Sequence, residues 1–76
     1  MTEFEKKEVA MFGVTVVGMR EAVKQRLARR YHTPTDMAIS LIANAQEELN
    51  FNVEDARQTL NRAKWILMEY ATEDSK

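Results

Sequence analysis

Catalysis needs particular side chains held close together, and this sequence has few to offer. Its one imidazole is His32, in "RRYHTPTDM", with Thr33 and Asp36 beside it. A nucleophilic site requires a hydroxyl or thiol next to a base that a third group orients. Thr33 and Asp36 have a simpler use, capping the helix that Pro34 opens. There is no cysteine, so thiol chemistry and disulfide staples are absent together. A single histidine without ligand spacing around it makes no zinc site. The acidic pairs Glu47–Glu48 and Glu54–Asp55 are chain neighbours, which point apart on a helix instead of sharing a proton. Gly13 and Gly18 are the only glycines, so there is no glycine-rich phosphate loop. The sequence predicts no catalytic residue, no metal and no cofactor; the chain reads as a binder and not an enzyme.

Binding chemistry is better represented. "REAVKQRLARRYH" gathers Arg20, Lys24, Arg26, Arg29 and Arg30 against Glu21, with Tyr31 available to stack. This is the nucleic-acid candidate. On a helix, however, Arg20 and Lys24 fall on one flank of the apolar stripe and Arg26 on the other, as charges bordering an interface do. Residues 33–56 carry Asp36, Glu47, Glu48, Glu54 and Asp55 with no Lys or Arg, and the net charge is −1. The plainer expectation is that the basic and acidic blocks neutralise each other across a helical hairpin. The second candidate is "LNRAKWILMEY". Trp65 and Met68 project away from the main apolar seam, with Arg57 and Lys64 nearby. A lone tryptophan off the seam is a protein-binding anchor, or else packs against the first helix or a second subunit.

The elements that would position these groups are helical. Pro34 is the only proline, so breakers are scarce and connections short. A first helix is predicted over about 3–31, because Val9, Phe12, Val16, Met19, Val23 and Leu27 step by three and four. Two readings compete with it. The β-branched "VTVV" allows a strand across 9–17. A break at Gly13 or Gly18 would instead let residues 3–12 fold back over their own core. A second helix is predicted over 34–50, with Met37, Ala38, Leu41, Ile42, Ala45 and Leu49 as its apolar face. A third is predicted over 53–72, capped by Asn52, with Phe51 stapled onto Ala56. Its seam is Val53, Ala56, Leu60, Ala63, Leu67 and Tyr70. Residues 73–76 form a frayed tail.

The fold class is therefore all-α: one domain over 1–76, a long N-terminal helix followed by a helical hairpin, a three-helix unit. Lengths then matter. The first helix would span about 42 Å and the second about 25 Å, leaving the first half of the long helix uncovered. That half holds "EVAMFGVTVVGM", the least polar stretch of the chain. An exposed apolar patch marks an interface, and the commonest partner is a second copy. Val9, Phe12, Gly13, Val16, Val17 and Met19 are the expected contacts of a homodimer or higher even oligomer.

The charged start "MTEFEKKE" is not followed by a cleavage pattern and no apolar run approaches about 20 residues, so no export and a cytoplasmic place are expected, the host's if the gene is carried by a phage or plasmid. No membrane partner is expected. The functional expectation is a small oligomeric regulator, adaptor or inhibitor that binds another protein. The first alternative is a nucleic-acid-binding regulator; the second is a small-ligand sequestering protein with pockets between subunits.

Overall fold

The computed structural model describes residues 1–30 and 33–70. Among these residues the chain forms four helices and no strand: α1 (Glu3–Phe12), α2 (Val16–Arg30), α3 (Pro34–Glu48) and α4 (Val53–Glu69). The predicted 3–31 helix is thus two helices, and the three-helix unit is a four-helix one. Tyr31, Ala71 and Thr72, and the tail 73–76, lie outside the described residues.

The break has a local cause. Gly13 ends α1 in the left-handed region, φ 79°, and its N–H donates to the Val9 carbonyl. Only glycine adopts this conformation without a Cβ penalty. Thr15 then starts α2, its hydroxyl accepting from the Gly18 N–H at 3.1 Å. Glu8 spans the break, with Oε1 accepting from the Val16 N–H at 3.3 Å. A stop and a start therefore sit two residues apart inside a continuous apolar stripe, and they outweigh the stripe. At its other end α1 carries a full capping box. Thr2 accepts from the Glu5 N–H, and Glu5 accepts from the Thr2 N–H.

The other boundaries follow the sequence closely. Thr33 and Asp36 form a capping box at α3, with Pro34 in the first turn. Asn52 caps α4 by accepting from the Asp55 N–H. The staple does not form: Phe51 is 89% exposed. The Phe51 and Asn52 N–H groups both donate to the Glu48 carbonyl, closing a tight turn that swings the ring outward.

The short turn makes α3 and α4 an antiparallel hairpin, and their seam is built from small residues. Ala38 and Ala45 on α3 meet Ala56, Thr59 and Ala63 on α4, all buried. Small side chains let two helices approach closely. Beside this seam lies the larger core cluster of Val23, Met37 and Ile66, with Leu27, Leu41, Trp65 and Tyr70 packed around it. α2 supplies Val23 and covers this side of the hairpin. Met19, expected at an interface between copies, is 4% exposed within the monomer.

The predicted hairpin stripes are only half right. Val53, Leu60 and Leu67 on α4, Ile42 on α3 and Leu49 just past its end are exposed, while Thr59 and Ile66 are buried instead. The true core lies rotated from the predicted one, towards α2.

Candidate interaction surfaces

The first surface is the place where α1 lies against the back of α4. A helix ending at a glycine leaves carbonyl groups without intrahelical partners. Here α4 supplies the donors. Arg57 Nη2 donates to the Ala10 carbonyl at 3.1 Å, Gln58 Nε2 to the same oxygen at 3.3 Å, and Asn61 Nδ2 to the Met11 carbonyl at 2.8 Å. Arg57 is held in place by Glu54, to which both Nε and Nη2 donate. That hydrogen bond holds the Glu54 carboxyl below its ordinary value of 4.5 and raises Arg57.

Trp65 lies beside these contacts on the same helix. A shallow groove of about 190 Å³ is lined by Met11, Phe12, Asn61, Lys64, Trp65 and Met68. The Trp65 and Tyr70 rings meet edge to face, with centroids 6.0 Å apart. Arg20 stands over Trp65 at 5.9 Å and pairs with Glu69 at 3.1 Å. Trp65 is therefore half-buried, joining α1, α2 and α4, while Lys64 and Met68 remain exposed. Of the expected partner-binding residues, Arg57 is engaged within the chain and Trp65 largely so.

Docking of α1 also changes the account of "EVAMFGVTVVGM". Val9, Phe12, Val14 and Val16 are half-buried by the chain itself, and Met19 is core. Val17, 75% exposed, and Gly13 are the members of the expected interface set that stay open to solvent. The overhanging rod that was to require a second copy is not there.

The second surface was missed because its residues read as core. A helix turns about 100° per residue. On α3 this puts Met37 and Leu41 to one side of the Ala38–Ala45 line, and Ile39 and Ile42 to the other, with Leu49, the helical-conformation residue at its end, beside them. On α4 it puts Ile66 and Arg62 to one side of Ala63, and Val53, Leu60 and Leu67 to the other. In an antiparallel pair the matching flanks lie on the same side of the hairpin. One side holds α2. The opposite side, Ile39, Ile42, Leu49, Val53, Leu60 and Leu67, is exposed.

The basic residues do not gather on one face. By the same rotation Arg20 and Lys24 lie to one side of Val23, and Arg26 and Arg29 to the other. Arg20 is tied to Glu69. The Arg30 side chain and Tyr31 lie outside the described residues. Among the described residues no ion pair neutralises the basic block against the acidic one across the hairpin; the two ion pairs there are Arg20–Glu69 and Arg57–Glu54.

A third feature is an open hollow of about 400 Å³ at the α3–α4 turn, bordered by Glu47, Glu48, Phe51, Asp55, Thr59 and Arg62. Within it a chain of hydrogen bonds runs from Arg62 Nη2 to the Thr59 hydroxyl (2.9 Å), and from that hydroxyl to Glu48 Oε1 (2.7 Å). Arg62 Nε is buried and has no hydrogen-bond partner among the described residues. Among those residues no group of three or more acidic or histidine side chains converges on a metal position. No described helix is long and apolar enough to cross a membrane. No family model matches this sequence, and the comparisons with curated proteins and solved structures return no match.

Proposed function

We propose that this protein is a small, non-enzymatic, self-associating helical module that regulates, adapts or inhibits another protein by binding it. The observation that carries this reading is the bare hairpin side, a set of large aliphatic side chains left open in a chain with few to spare. Leu60 and Leu67 are each about 40% exposed, and Val53 and Leu49 more than half. Burying such a side chain is worth roughly 1.5–3 kcal/mol, so leaving several in water is a cost that association removes. The groove beside Trp65 supports a second protein as a further partner. Met11 and Met68 offer adaptable thioethers there, next to the exposed ammonium of Lys64. The absence of cysteine fits a reducing compartment such as a cytoplasm.

The test begins with a partner recovered from the native host, purified, and titrated calorimetrically against the full chain. Saturable binding that weakens at least tenfold with Met68→Glu is expected. The reading is overturned if the chain instead binds mixed-sequence duplex or single strands, with steep salt dependence and loss on Arg26→Ala/Arg29→Ala. That outcome would restore the nucleic-acid alternative.

A further inference from the structure

We infer that the bare side of the α3–α4 hairpin is the face on which two copies of this chain meet, hairpin against hairpin. The inference rests on the self-association proposed above and replaces the N-terminal contact that the sequence suggested.

Spacing is the first argument. Val53, Leu60 and Leu67 recur every seven residues on α4, and Ile42 on α3 is followed seven residues later by Leu49, the residue that caps its end. A seven-residue apolar repeat is the pattern by which helices pack side by side on another helix. Among the described residues no other helix packs on this side, and these side chains keep about 40% or more of their surface open. α2 occupies the opposite side of the hairpin, and α1 lies against the back of α4.

Charge is the second. Thr35 and Gln46 are the polar residues among the aliphatic ones on the α3 flank, and Lys64 stands at the edge of the α4 flank. In a chain with 30% charged residues this side is nearly free of charge. A twofold contact sets the same patch against itself, so any central charge would meet its own like. An uncharged centre is what a second copy requires, whereas a strongly basic or acidic partner would find nothing here to pair with.

Size is the third. α3 has 15 residues and α4 has 17. Such helices are about 22 and 25 Å long, and lie about 8–10 Å apart. Two side by side present a face of roughly 25 by 20 Å, about 500 Å² in projection and more with the relief of the side chains, which approaches the roughly 800 Å² of accessible surface per partner found in stable interfaces. Pairing two hairpins then gives an α3–α4–α3–α4 core, flanked by α2 and α1 from each copy.

Sedimentation equilibrium of the full chain, from about 1 to 100 μM, tests this. The wild type should approach twice its 8.8 kDa mass. Leu60→Glu and Leu67→Glu, at positions already open to water, should keep the helical circular dichroism and weaken association on the order of a hundredfold or more, because each buries an unpaired charge. Val17→Glu, on the exposed start of α2, should leave association unchanged. As a second measure, the chain has no cysteine, so Leu60→Cys is a unique crosslinking site. Mild oxidation should give a covalent dimer, and Val17→Cys should not. A dimer that survives Leu60→Glu and Leu67→Glu but is lost with Val17→Glu overturns this face while leaving self-association standing. A folded monomer at every concentration overturns both.

Discussion

Asn61 on α4 donates from Nδ2 to the carbonyl oxygen of Met11 at the end of α1, 2.8 Å away and fifty residues earlier in the chain. This contact, with Arg57 and Gln58 beside it, joins the first helix to the last. No residue of α1 is fully buried. Its attachment therefore depends on half-buried Val9 and Phe12, and on side chains reaching its free carbonyls.

Removing the amide should loosen α1 without unfolding the rest. A hydrogen bond of this kind contributes about 1 kcal/mol net. Asn61→Ala is expected to speed hydrogen exchange at the α1 amides about fivefold. Exchange at the α3 and α4 amides near Ala45 and Ala63 should change little.

Gly13→Ala attacks the same arrangement through the backbone. The residue has φ 79°, and an added Cβ would stand 3.0 Å from Gln58 Oε1. A left-handed alanine costs about 1–2 kcal/mol. The substitution should lower the melting temperature and shift residues 3–30 towards one continuous helix. Nuclear Overhauser contacts between Phe12 and Trp65 should weaken, and unchanged contacts would refute the account of the break.

Thr59 is 1% exposed, and its hydroxyl links Arg62 to Glu48. Thr59→Val keeps the shape and leaves both charged groups short of a partner. Leaving a buried polar group unsatisfied costs about 1–3 kcal/mol. Urea unfolding should show a loss of that size for Thr59→Val, and about 1 kcal/mol or less for Thr59→Ser, which keeps the hydroxyl.

Acid should release α1 first. The hydrogen bond from Arg57 lowers the folded-state pKa of Glu54 below the ordinary 4.5. A carboxyl lowered in this way adds stability that is present above pH 4.5 and lost as pH falls through the lower folded value. Both groups are exposed, so the effect is small. As the pH falls through that lowered value, the Glu54 carboxylate that aims Arg57 at the Ala10 carbonyl is neutralised. Trp65 fluorescence should report α1 loosening there, and Glu54→Gln should remove that pH dependence.

What the sequence determined by itself is local. The caps at Thr33 and Asn52, the extent of α3 to within two residues and the start of α4 depend on side chains three or four positions apart, and they were legible. Even the break at Gly13 had its local signs, a glycine followed by a capping threonine. The seven-residue step of Val53, Leu60 and Leu67 was legible too, but not the direction in which it points. Tertiary structure decided that. A periodic stripe says that a helix has an apolar side, not which neighbour will cover it. Alanines at 38, 45, 56 and 63 let α3 and α4 close on their smallest residues, so the large aliphatic ones were turned outward. The same packing brought Arg57, Gln58 and Asn61 onto the end of α1, a pairing between distant segments that no local spacing encodes.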